Sequence, residues 1–309
     1  MRPDWRIRAN RDSPDETDQR SAFFTVGDGT DRRAKMKHWR IEQMDWDSFD
    51  PSKVDPRIVP TVKAASVVER NGVDYARYLN NVFIDDPDFR QAADNWAIEE
   101  VQHGDALGRW AMLADPTWDY MDAFERYRAS YHIDLDVDAS VRGSRTGELI
   151  ARCMVETGTS SFYTALADAT EEPLLKAICK QIAADEYRHF KLFYDHMHRY
   201  LTREKLSVWQ RTRIALGRVT ESEDDELASA YHTTNEPPDM PYDHQRCIAL
   251  YMVHAMGFYR PRHINRVTSM IFKTIGFTPH SRLQDWASRA VFALIQRRQR
   301  KFKRQLAIA

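Results

Sequence analysis

The chain has 309 residues, room for one large domain or two small ones, with a formal net charge of −1, 11 glycines and 3 cysteines. The near-neutral balance gives no global attraction to nucleic acid or membrane, and the glycine-poor, charge-rich composition reads as a compact, mainly helical globular protein. Cys153, Cys179 and Cys247 lie far apart with no Cys-x-x-Cys pair, which argues against a rubredoxin or zinc-ribbon appendage and against a disulfide framework.

In chain order, residues 1–33 are polar and rich in Asp and Arg with no hydrophobic period, and read as a mobile leader. Nothing there resembles the apolar segment of a secretory signal, and no apolar stretch approaches the length of a membrane span, so a cytoplasmic protein is expected. The remainder, 34–309, reads as a single helical domain. A short amphipathic stretch, 34–44, precedes Pro51 and Pro56. Apolar residues then return at helical spacing from Val59 to Phe83, with Val67, Val68, Tyr75, Tyr78 and Leu79 prominent. Asp86-Pro87 starts a helix running to about Ala114. Residues 115–140 read as irregular or as one short helix. A long helix spans 145–168, and Glu171-Glu172-Pro173 opens the next, which runs to Tyr200. Beyond it come a basic helix at 203–217, an acidic and then Pro-containing loop at 219–240, and a helix at 242–258. From Ser281 to Ala309 the chain is amphipathic and basic, with Arg297, Arg298, Arg300, Lys301, Lys303 and Arg304 interleaved with apolar residues.

Two Glu-x-x-His motifs carry the chemistry, Glu100 with His103 and Glu186 with His189. Residues i and i+3 share one helix face, so each motif aims a carboxylate and an imidazole at one point. A lone glutamate precedes each at nearly equal spacing, Glu69 by 31 residues and Glu156 by 30. Half of that gap is roughly 15 residues, or about 22 Å of helix, so each pair fits an antiparallel hairpin with its ligands at mid-height. One Glu-x-x-His arises easily by chance; two, each with its partner glutamate, match the ligand recipe of a ferritin-like di-iron carboxylate four-helix bundle. The expected fold is therefore all-α, a ferritin-like bundle over 59–200 with additional helices over 201–309. Carboxylates are hard and can bridge two cations, imidazole suits iron, and four carboxylates balance two ferrous ions. Manganese suits the same donors, whereas catalytic zinc usually takes one ion and three ligands.

The segments WAIEEVQHGDALGRW (96–110) and KAICKQIAADEYRHFKLFYDH (176–196) resemble the signature helices of the soluble acyl-acyl carrier protein desaturases, the family of the plant stearoyl desaturases. The family patterns run approximately W-x-x-EE-x-RHGD-x-L and IC-x-x-IAADE-x-RH. MVETGTSSFY (154–163) resembles the third ligand helix, and SVVERNGVDYARYLNN (66–81) the first. The resemblance implies terminal metal ligands Glu69 and Glu156 with His103 and His189, and bridging ligands Glu100 and Glu186. It makes Thr159 the hydroxyl beside the oxygen site and Asp185 the hydrogen-bond partner of His103, with Trp39 continuing that line towards the surface and Trp46 as a rival. Gln102 stands where the family has Arg.

The function implied is oxygen-dependent desaturation of a fatty acyl chain on acyl carrier protein, with two iron ions, a ferredoxin-type electron donor and a homodimeric enzyme. The alternatives are a di-iron hydroxylase or N-oxygenase acting on another lipid or amine and, further off, a ferroxidase or iron-storage protein. Because a carrier protein is acidic, the basic segments 203–218 and 282–304 are candidate docking surfaces. The basic C-terminal helix also suits peripheral membrane contact.

Overall fold

Capping chemistry fixes where the long helices begin. The Asp86 carboxylate accepts the Phe89 N–H at 3.1 Å, the Ser144 hydroxyl accepts the Gly147 N–H at 3.0 Å, and Glu172 accepts those of Leu174 and Leu175 at 3.2 and 2.7 Å. Each bond satisfies a backbone donor that the first helical turn leaves without a partner, and Pro87 and Pro173 occupy positions where no such donor is needed.

The computed structural model describes residues 38–220 and 225–308, so the leader expected at 1–33 lies outside the described residues. From Trp39 onwards the chain forms one compact unit. Three short 3₁₀ turns between Ile41 and Lys53 lead into α1 (Val59–Arg70), α2 (Gly72–Val82), α3 (Pro87–Ala114), α4 (Tyr120–Ser130), α5 (Arg145–Ala169) and α6 (Pro173–Glu204). Then follow α7 (Val208–Thr220), α8 (Asp225–Asn235), α9 (His244–Gly257), α10 (Pro261–Ile275) and α11 (Arg282–Ile308). The described residues contain no strand, and the fold is all-α with a ferritin-like bundle. Its four members are α1 with α2, α3, α5 and α6; α5 pairs with α6, and α3 packs on α1, α2 and α6.

Three elements differ from the sequence reading. The helix expected over 59–83 breaks at Asn71, whose φ of −75° and ψ of 2° end α1 immediately after the turn that carries Glu69. Gly72 restarts the chain so close to α3 that a Cβ there would lie 2.5 Å from Cβ of Glu100. The loop expected at 219–240 instead contains α8, because Ala228, Ser229, Ala230 and Tyr231 bury themselves against the rest of the core and tertiary packing outweighs the polar local composition. Helix α10 went unread between two assigned elements, although Pro261 opens it and Gly276, at φ 91°, closes it.

The apolar core is split into two clusters. One gathers Leu107 and Trp110 of α3, Leu166 of α5 and Ile178 and Ile182 of α6. The other gathers Phe89 and Trp96 of α3, Leu149 and Ile150 of α5 and Phe193 and Met197 of α6. Between them, at mid-height, lie Glu100, His103, Glu156, Glu186 and His189. No helix among the described residues is long and apolar enough to cross a membrane.

Helices α1 and α3 touch backbone to backbone at Gly104, where a Cβ would fall 2.6 Å from both the Arg70 nitrogen and the Ser66 oxygen. Gly104→Ala is therefore expected to destabilise the protein by about 1–3 kcal/mol, since the obstructing atoms are main chain. Gly158, in the middle of α5, has nothing within 4 Å of an added Cβ, so Gly158→Ala should stabilise by roughly 0.5–1 kcal/mol through helix propensity. Denaturant unfolding midpoints of the two variants should move in opposite directions.

Candidate metal centre

The helical period brings the six predicted residues together. Glu69, Glu100, His103 and Glu186 offer ligand atoms all within 4.8 Å of one another, and so do Glu100, Glu156, Glu186 and His189. The two groups share Glu100 and Glu186. All six residues are buried, from 0% exposure at His103 to 7% at Glu69.

Their innermost atoms face each other without bonding. Nδ1 of His103 lies 3.1 Å from Glu186 Oε1, and Nδ1 of His189 lies 2.9 Å from Glu100 Oε1. None of these four atoms, nor Glu156 Oε1, has a partner in hydrogen-bond geometry. Buried polar atoms are ordinarily paired, so five converging orphans ask for a cation. Carboxylate oxygens with imidazole nitrogens fit iron or manganese, and the buried cluster can hold a metal.

Outer contacts hold both imidazoles in the same way. Asp185 Oδ2 lies 3.0 Å from His103 Nε2, and Glu99 Oε2 lies 3.1 Å from His189 Nε2. Each acid immediately precedes the glutamate of its own motif and contacts the histidine of the other, so α3 and α6 are cross-linked twice. A carboxylate on the outer nitrogen fixes the ring and leaves Nδ1 for the metal side. Arg188 serves both acids, at 2.5 Å from Asp185 and 3.2 Å from Glu99. Glu99 was missed in the sequence, although its place before Glu100 mirrors that of Asp185 before Glu186.

The Trp39 indole N–H donates to Asp185 Oδ2 at 2.7 Å, and its ring lies parallel to that of His103 with centroids 6.2 Å apart. Trp46 is not on this line: it donates to the Ile41 carbonyl at 2.9 Å and lies beneath Arg109. Gln102 anchors the same segment by donating to the Trp39 carbonyl at 3.1 Å. Thr159 places its hydroxyl on Glu186 Oε2, with the Val155 carbonyl at 3.2 Å as a further acceptor. Tyr163, also missed, donates to Glu69 Oε1 at 2.5 Å from one turn beyond Thr159. No local pattern announces that contact, which spans 94 residues.

Electrostatics sort the carboxylates. Burial, reinforced by the charge of Glu186, raises Glu100 well above the ordinary carboxylate range, and burial with the same neighbour raises Glu156. Burial acts on Glu186 too, but the two imidazoles close to it outweigh burial and hold this carboxylate far below its usual value. Burial would lower the two imidazoles. The surrounding acids outweigh it, Asp185 foremost at His103 and Glu100 foremost at His189, so both stand well above an ordinary histidine.

A family model described as Fatty acid desaturase matches residues 69–210. The matched span begins at Glu69 and contains all six clustered residues. It supports a fatty-acid-desaturase-like family. No curated protein matches the chain.

Metal must displace protons from the raised histidines and from Glu100 and Glu156, so loading should release protons and weaken as pH falls. Above the raised histidine values the competition vanishes and affinity levels off. Anaerobic titration with ferrous iron in weak buffer tests this, and a pH-independent affinity would contradict the site. Glu99→Gln and Asp185→Asn should each weaken metal affinity by roughly 10–100-fold. Glu100→Ala removes a carboxylate common to both groups and should lower the iron bound per chain at saturation.

Proposed function

We propose that the chain is an oxygen-dependent di-iron desaturase that introduces a double bond into a fatty acyl chain carried on acyl carrier protein. The supporting observation is the coincidence of two carboxylate–imidazole groups sharing Glu100 and Glu186 with a fatty acid desaturase match that encloses both. In this reading Glu69 with His103 would hold one ion and Glu156 with His189 the other, and Glu100 and Glu186, common to both groups, would serve both. Iron held by these residues would supply the redox chemistry: with two electrons from a ferredoxin-type donor and two protons, oxygen would be reduced to water as two hydrogens leave adjacent methylenes.

The remaining work falls to the chain's own residues. Thr159 holds its hydroxyl proton against Glu186 Oε2, beside a centre where a proton is needed as oxygen is reduced. Asp185 and Glu99 keep the imidazoles from rotating, so the ligand geometry is set before substrate arrives. The Trp39–Asp185–His103 line gives electrons a hydrogen-bonded route inward. The apolar clusters on either side of the ligand layer keep bulk water from a centre that must abstract hydrogen from an unactivated chain.

Incubation of iron-loaded protein with acyl carrier substrates of graded chain length, ferredoxin and a reductant should yield monoenes containing no added oxygen. A hydroxylated lipid or an oxidised amine as product would instead establish the hydroxylase or N-oxygenase alternative. Thr159→Val should lower product formed per oxygen consumed with metal content unchanged. Trp39→Phe should slow reduction by the protein donor while leaving a single turnover of chemically reduced enzyme intact.

A further inference from the structure

Helix α11 presents an unpartnered face. Its inner side is fastened to the body: Gln284 donates to the Asn265 carbonyl of α10 at 3.2 Å, Ser288 meets Thr268, and Gln299 donates to the Val253 carbonyl of α9 at 3.0 Å. Phe302, buried, continues that inner side. The opposite side carries Leu283, Trp286 and Leu294, which are 53%, 69% and 54% exposed. Their spacing places them along one ridge, roughly 16 Å long at 1.5 Å per residue. Arg297, Lys301 and Arg304 continue the same ridge towards the C-terminus.

Charge is equally one-sided. Eight basic side chains and one acid, Asp285, leave α11 at +7 within a chain whose formal net charge is −1. All eight are exposed. Apart from Arg298, none of them makes an ion pair with a described residue. A solvated packing helix needs no exposed tryptophan and leucines at this spacing, and a helix-binding partner protein would more commonly be met by a groove than a ridge. A ridge with an indole and leucines at one end and unpaired cations along the other suits the boundary between acyl chains and headgroups. There the indole sits at headgroup depth, and arginine and lysine meet lipid phosphates.

We infer that α11 docks the protein on an anionic phospholipid bilayer, with Leu283, Trp286 and Leu294 entering the headgroup region and the Arg297–Arg304 turns on its phosphates. This does not rest on the desaturase reading, since it uses no residue of the metal centre.

The test is flotation of the full-length, metal-loaded protein with vesicles of phosphatidylcholine alone or with about 30 mol % phosphatidylglycerol. Binding is expected to the anionic vesicles only, weakening at least about tenfold when salt is raised from roughly 0.1 to 1 M, which shortens the screening length from about 10 to 3 Å. The double variant Trp286→Ala, Leu294→Ala and the triple variant Arg297→Glu, Lys301→Glu, Arg304→Glu should each reduce binding at least about tenfold. Both should retain wild-type circular dichroism and iron content, since the altered side chains are exposed and remote from the ligands. No binding to anionic vesicles at low salt overturns the proposal, as does undiminished binding by the double variant. Capture of acyl carrier protein by this face, without vesicle binding, overturns it in favour of a protein partner.

Discussion

Four glutamates turned inward repel one another, and the rest of the bundle is arranged around that repulsion. Ionised groups removed from water cost several kcal/mol each unless they are paired or bind a metal. Here Glu100 and Glu156 are pushed towards their protonated forms, Glu186 stays ionised between two imidazoles, and both imidazoles are held charged. An all-apolar layer would serve stability better, and a bound cation would offset the cost of this one. Dense apolar clusters on both sides carry the packing that it cannot.

The crossed pairing of Asp185 with His103 and Glu99 with His189 gives this layer its rigidity. Neither acid serves the histidine of its own helix, so the orientation of each imidazole depends on the spacing of α3 and α6. A slip of one helix would disturb both rings together. Arg188 braces both acids from outside, and the arrangement is pseudo-twofold even though the sequences around it differ. The break at Asn71 belongs to the same constraint. It ends α1 just beyond Glu69, and the close approach at Gly72 presses the restarted chain onto Glu100.

Much of this was legible in the sequence, for a definite reason. Glu-x-x-His at i and i+3 converges by helical geometry alone, and a gap of 30 or 31 residues sets hairpin height without knowledge of packing. Thr159 and Asp185 followed from resemblance; Asp185 lies against His103, and the Thr159 hydroxyl lies against Glu186, a contact the resemblance did not specify. What escaped were contacts across the bundle with no local period. The hydroxyl of Tyr163 on α5 reaches Glu69 on α1 across 94 residues of sequence. Helix α8 escaped because a run of small residues between acidic and proline-rich stretches becomes helical only where other helices bury it. Glu99 and α10 were misses with a readable signal: an acid placed before each motif glutamate, and Pro261 and Gly276 bounding a helix.

The segment from Trp39 to Val54 shows how distant residues can govern the centre. It is pinned near its start, where Trp39 donates to Asp185 and receives Gln102 on its carbonyl. It is pinned again where the Asp50 N–H donates at 3.1 Å to Glu172. Glu172 is fully buried, caps α6 and accepts the Trp110 indole at 2.7 Å. From Glu172 to Asp185 is 13 residues of α6, about 20 Å, so the segment is laid along the helix that presents Glu186 and His189. One glutamate therefore sets the start of a ligand helix and tethers the strap that bears the Trp39 indole. Gln102, where the resembling family carries an arginine, ties α3 to this strap through an uncharged amide donor on the Trp39 carbonyl.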